Sequence, residues 1–168
     1  MSETETSIDE PRFVVGSFKH IFEEDLGTDV QPLNALTMRD FITGFLVGTE
    51  KRYIKEVTIY GDHEAHIIIP FSQKASEYAA YTMLGEDEVK MAAFDGRDLI
   101  NETTNELTNQ VSGCFRNILS KDEINCRLKP PRRLSEKDLA HWLNTASYRF
   151  IHSFNVDNFS MCVIYVRQ

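Results

Sequence analysis

Residues 52–71, RYIKEVTIYGDHEAHIIIPF, constrain the fold more than any other stretch. RYIKEVTIY alternates apolar and polar side chains, the two-residue period of a strand with one face inside. GDHE supplies a turn, and AHIIIPF returns as a buried strand. An antiparallel hairpin is therefore expected here.

The remaining segments arrange themselves around that hairpin. RFVVGSFKHIFEEDL (12–26) carries Val14, Phe18, Ile21 and Phe22 at helical spacing, with Gly27 as the stop. Residues 28–36 read as a strand broken by Pro32, hence an edge strand. Residues 38–48 fit either a short helix or a strand. A helix is expected from Gln73 to Leu84, closed by Gly85, then a turn of helix in EDEVK and a long helix over Gly96 to Ser120. INCRLKPP (124–131) is a strand stopped by two prolines. SEKDLAHWLNT has the Ser-x-x-Asp start of a capped helix. Two strands, YRFIHSFNV and FSMCVIYVR, meet near Asp157 and Asn158. This order predicts an α+β fold, a mostly antiparallel sheet with long helices packed on one face.

Length and charge narrow the function. A chain of 168 residues suits one domain, read as a disordered acidic lead-in at 1–11 and a single domain over 12–168. A net charge of −8 argues against nucleic acid and anionic membranes as partners. MSETETSIDE lacks the regions of a signal peptide, and no apolar run reaches membrane-spanning length. The three cysteines, Cys114, Cys126 and Cys162, form no CxxC pair and read as free thiols of a cytoplasmic protein.

The long helix raises a chemical question. INETTNELTNQVSGCF contains acid-x-x-Asn twice, at Glu102/Asn105 and Glu106/Asn109. On a wheel of about 100° per residue with Leu107 at zero, Ile100, Leu107, Val111, Cys114 and Ile118 cluster within about 40° as the buried stripe. Glu102, Glu106, Asn109 and Gly113 fall at about 200–260°, facing away, and Asn105 at about 160°. A glycine inside a helix costs about 0.5–1 kcal/mol against alanine. Gly113, one turn beyond Asn109, would let another backbone come close, which favours the Glu106/Asn109 pair. A carboxamide is no base at neutral pH, but it can orient a water. Hydrolysis of a phosphoryl group needs a water held in line with the leaving oxygen. A carboxylate three residues away shares the face and could hold a cation of a partner. Two residues on a flat helix enclose no small substrate, so the pair suits a protein partner that brings its own phosphate and metal.

ELTNQVSG at 106–113 resembles the Glu-Leu-x-Asn-x-x-x-Gly signature of the CheC/CheX/FliY family of chemotaxis phosphatases, CheX most closely. FSQKASEYAAYTMLG before it and INCRLKPP after it resemble the flanking segments of that family, and the resemblance spans about Val14 to Val166. It implies a phosphatase acting on the phosphoaspartate of a CheY-like response regulator, with Asn109 positioning the attacking water and Glu106 contacting the regulator. Magnesium would sit on the regulator, this chain binding no metal or cofactor of its own. Glu102, Gly113 and Arg116 become candidates for partner contact. The alternative is a non-catalytic module of the same fold that docks signalling proteins. Glu102 stands where the family has Asp or Ser, CFRN follows the motif glycine, and SEKDLAHWLNTAS is an unusual insertion.

Other candidates are weaker. HEAH at 63–66 is not HExxH, and in a strand His63 and His66 would face opposite ways. Trp142 beside His141 reads as core packing. KPPRR at 129–133 reads as a solvated strand exit that could touch the acidic pocket of a receiver domain. FSMCVIYV is apolar on both faces, Met161, Val163 and Tyr165 on one and Cys162, Ile164 and Val166 on the other. Such a strand is either central or paired with a second chain. The resemblance implies a homodimer joined through a sheet edge.

Overall fold

The computed structural model describes residues 9–46 and 50–168. Most of the acidic lead-in, residues 1–8, lies outside the described residues, as do residues 47–49 of the segment 38–48. Helix α1 spans Glu10–Leu26, so it takes in the last two residues of that lead-in. Asp9 caps it by accepting from the Arg12 amide at 3.2 Å, Pro11 lies in the first turn, and Gly27 closes it at φ 61.

Strand β1 (Val30–Ala35) follows, then α2 (Met38–Phe41) and a π-helical turn at Ile42–Leu46. The ambiguous segment is thus helical where it is described. The hairpin forms as expected: β2 (Arg52–Gly61) pairs antiparallel with β3 (Ala65–Ser72), Tyr53 opposite Phe71 and Val57 opposite Ile67. Helix α3 (Gln73–Leu84) has the expected bounds, capped by the Ser72 hydroxyl. EDEVK begins a nine-residue helix, α4 (Glu86–Phe94), longer than the single turn expected. The long helix α5 (Leu99–Lys121) is capped by Asp98. Strand β4 (Cys126–Leu128) ends before the prolines, and β5 (Arg132–Leu134), unforeseen, resumes after them. Helix α6 (Glu136–Thr145) carries the Ser135/Asp138 capping box. The chain closes with the hairpin β6 (Tyr148–Val156) and β7 (Phe159–Arg167).

The strands form one antiparallel sheet in the order β1-β6-β7-β3-β2-β4, with β5 also pairing β2. Gly61 sits at φ 125 where β2 meets β4, and a Cβ there would lie 2.5 Å from the Asn125 carbonyl oxygen, so only glycine fits. The long helices α1, α3 and α5 share one face of the sheet, over Tyr53, Ile67, Phe71, Val163 and Tyr165. Phe18 stacks on Phe22 and on Phe154, each with ring centres 4.1 Å apart. Each such buried side chain contributes about 1.5–3 kcal/mol of transfer energy. The other face is also covered: Phe41 of α2 and Leu139 and Leu143 of α6 pack over Ile54, Ile68, Cys162, Ile164 and Val166. The insertion at 134–146 is therefore the lid of a second, smaller core.

Those two cores explain the final strand. β7 is not an edge: it lies between β6 and β3, with Met161, Val163 and Tyr165 in the first core and Cys162, Ile164 and Val166 in the second. Its apolar faces are consumed inside the chain, so they give no reason to expect a second copy. The sheet edges are β1, guarded by Pro32, and the three-residue strands β4 and β5.

Candidate functional site

Helix α5 lies between α1 and α3 over β2 and β3, its outer side turned to solvent. Leu107, Val111, Phe115 and Leu119 are fully buried. Ile100, Cys114 and Ile118, expected in the buried stripe, are only half-buried. The stripe is rotated because a polar ridge is buried with it: Thr104, Thr108 and Ser112 are 0 % exposed. Thr108 donates its hydroxyl to the Thr104 carbonyl and Ser112 to the Thr108 carbonyl, both at 2.8 Å. With the hydroxyls satisfied inside the helix, these small side chains pack as hydrophobes.

The rotation moves the candidate pair. Glu102 and Glu106 are exposed as expected, but Asn109 and Gly113 are half-buried rather than fully outward. A Cβ at Gly113 would meet no atom within 4 Å, so nothing packed inside the described chain requires glycine there. Asn105 is half-buried as well, and its Oδ1 is buried without a hydrogen-bond partner. Glu106 Oε1 accepts from Gln110 Nε2 at 2.8 Å. Arg116, half-buried, donates to Asn117 Oδ1 at 2.9 Å. The outer side of α5 thus carries a carboxylate held by a neighbour, a carboxamide with no described partner, and a smooth backbone one turn on.

One neighbour of the site was not foreseen. Asp25, in the last turn of α1, has its carboxyl pushed above the usual carboxylate range by burial, then by the Glu106 and Glu24 carboxylates. Its Oδ2 is buried without a hydrogen-bond partner. The helical spacing of α1 marks only its apolar stripe, and sequence carries no signal that the end of α1 meets the middle of α5.

The two histidines of HEAH do face opposite sides. His63 Nε2 lies 2.5 Å from the Tyr165 hydroxyl and 3.5 Å from Glu10 Oε1, under α1. His66 Nδ1 lies 2.7 Å from Glu56 Oε1, on the α6 side, its ring 4.0 Å from that of Trp142. Glu56 is fully buried and also accepts from Thr58 at 2.6 Å and from Arg132 Nε. Burial pushes its carboxyl up, but the hydrogen bonds from His66, Thr58 and Arg132 outweigh burial and hold it below its usual value. The three cysteines are free thiols. Among the described residues no helix is long and apolar enough to cross a membrane.

Comparisons with known proteins agree with this architecture. A sequence comparison with curated proteins finds no match. The fold is similar to the CheX of a CheX–CheY–BeF3–Mg2+ complex from Borrelia burgdorferi, at TM-score 0.72 and 15% identity, over 96% of this chain and 99% of that one. It is similar to a CheC-like protein from a Shewanella species, at TM-score 0.69 and 14% identity, over 95% and 97%. A CheX from Desulfovibrio desulfuricans aligns at TM-score 0.67 and 14% identity, over 95% and 100%. The sequence model of the chemotaxis phosphatase CheX matches residues 54–155, well over half of the chain and including the whole of α5. The chain belongs to the CheX family of chemotaxis phosphatases.

Proposed function

We propose that the chain dephosphorylates a CheY-like receiver domain in the cytoplasm, with the outer side of α5 as its working surface. The observation that carries this reading is the combination on α5 of an oriented carboxylate, an unheld carboxamide and a glycine with open space beside it. Asn109 orients the attacking water in line with the phosphoaspartate. Its amide both donates and accepts, so it can fix a water by two hydrogen bonds. Glu106 holds a cationic group of the receiver and so places Asn109 over the phosphoryl group. Gly113 lets the receiver backbone approach within reach of Asn109. Glu102 and Arg116 border the contact.

Catalysis by such a pair is positioning rather than covalent chemistry. Mg2+ is held by the receiver and neutralises the phosphoryl charge there. A homodimer belongs to this proposal through the family alone, and sedimentation equilibrium decides it. The function is tested by mixing the full chain with phosphorylated receiver domains and following phosphate release. Release accelerated by the wild type and lost in Asn109→Ala is expected. Binding without acceleration makes the chain a docking module instead.

A further inference from the structure

Three cations converge on one aromatic ring near the N-terminal end of α5. Tyr53 is only 4 % exposed. Lys51 Nζ lies 4.8 Å from its ring centre, the Arg133 guanidinium 5.3 Å and Lys55 Nζ 6.0 Å. The register explains the convergence. Tyr53 and Lys55 are alternate residues of β2 and point to the α5 side, and Arg133 of β5 pairs directly with Lys55. Arg133 is further fixed by donating to the Arg52 carbonyl at 3.2 Å.

Among the described residues the cluster of Lys51, Lys55 and Arg133 has no ion-pair partner. Lys55 is 1 % exposed, yet its ammonium donates to a neutral acceptor, Asn101 Oδ1. This occurs in a chain with 26 acidic residues against 18 basic ones, where acids are in excess. The acids closest at hand leave the demand unmet. Asp98, the cap of α5, acts on Lys55 only through space, and Glu136 is taken by Arg52 at 3.0 Å. Glu50 precedes Lys51 and is exposed. A buried ammonium crowded by a guanidinium is costly, and an added anion would relieve that cost.

We propose that Lys51 and Arg133, backed by Lys55, form an oxyanion site that receives an acidic segment of the protein docked on α5. The proposal rests on the reading of α5 as a docking surface for a receiver domain. Continuity supports it: Asn101, which holds Lys55, precedes Asn105 and Asn109 by four and eight residues, so all three lie on one side of the helix. Charge supports it too. The face carries both signs: Lys51 and Arg133 at Tyr53, and the exposed Glu102 and Glu106 on α5. A protein surface carrying both acids and a cation complements it. A nucleic acid, anionic throughout, is repelled by the two carboxylates.

The test has two arms. In the first, chemical shifts of the full chain are followed during titration with a hexaglutamate peptide and, separately, with inorganic phosphate. The peptide is expected to move the signals of Lys51, Tyr53 and Arg133. It is also expected to raise the Lys55 ammonium above its free value, which burial, then Arg133, lowers to about 8. K51Q/R133Q should bind the peptide at least tenfold more weakly while melting at the wild-type temperature. In the second arm, phosphorylated CheY receiver is the substrate. K51Q/R133Q should raise KM at least tenfold and flatten its salt dependence, the loss falling on KM, whereas Asn109→Ala loses kcat. Absence of peptide shifts overturns the proposal. So does phosphate binding as tightly as the peptide, and so does a KM and salt dependence unchanged by K51Q/R133Q. Peptide binding at the cluster with no turnover of any phosphorylated receiver supports the oxyanion site and overturns the phosphatase reading alone.

Discussion

Gln110 Nε2 donates to Glu106 Oε1 at 2.8 Å, one turn along α5, while Asn109 between them has no described partner. The helix therefore holds the Glu106 carboxylate from within, and the proposed function gives the unheld Asn109 carboxamide to a group outside the chain. Asn109→Ala should lower receiver dephosphorylation on the order of 100-fold, with little change in melting temperature, because several kcal/mol of transition-state positioning is lost. Phosphate release under single-turnover conditions measures it. A wild-type rate in this variant rejects the role.

The second acid-x-x-Asn copy behaves differently. Asn105 Oδ1 is buried and unpaired, so it is unavailable to a water in the docked partner. Asn105→Ala should keep the dephosphorylation rate within about threefold of wild type and leave stability unchanged or slightly raised, since an unsatisfied buried group costs about 1–3 kcal/mol. Loss of activity in this variant, with Asn109→Ala active, would mean that the working register lies one turn earlier.

Two helix glycines make an internal comparison. Gly16 in α1 and Gly113 in α5 both have open space where a Cβ would go. Alanine at either should stabilise by about 0.5–1 kcal/mol, a rise of a few degrees in Tm. Only Gly113→Ala should weaken receiver binding. Equal binding by both variants in a titration would remove the close-approach role of Gly113.

The Glu56 network sets an acid limit. Its folded pKa is depressed, so the stability it contributes is present above its unfolded pKa of about 4.5 and is lost as pH falls through the lower folded value. Glu56→Ala removes the acceptor shared by His66, Thr58 and Arg132 and should cost about 1–3 kcal/mol, since Arg132 can turn to solvent. Urea unfolding followed by Trp142 fluorescence reads it directly, the indole lying against His66.

Lys55 adds a slope of the same sign in an alkaline window. Its folded pKa is about 8, against an unfolded value of 10.5. Between these values the unfolded chain binds more protons, so stability rises with pH across that window. Lys55→Met should abolish the rise and stabilise the chain near pH 7 by on the order of 1 kcal/mol. An unchanged pH profile in chemical denaturation would show that Lys55 does not titrate in that range.

What could be read from the residues depended on whether local chemistry decided the outcome. The β2–β3 hairpin, α3 with its Gly85 stop, and the Ser135/Asp138 capping box are set by neighbours in sequence, and all formed where expected. Strand β5 went unseen because two prolines end one ladder and only the far edge of β2 restarts it. The tilt of α5 was misjudged because hydropathy counts Thr104, Thr108 and Ser112 as polar, whereas their hydroxyls are satisfied within the helix. Asp25 beside Glu106, and Arg133 over Tyr53, are products of tertiary packing between segments far apart in the chain.

The position of β7 has a consequence for how the molecule comes into being. The strand inside the sheet follows all its partners in the chain, and β1 pairs with β6, more than a hundred residues later. During translation the β2–β3 hairpin can form early, but β3 keeps an open side and Phe18 lacks Phe154 until the final hairpin arrives. Such long-range closure makes for slow folding and a nascent chain that exposes strand edges to aggregation. Deleting the last ten residues would remove the axis on which both cores are assembled, and the product should be insoluble rather than merely shortened.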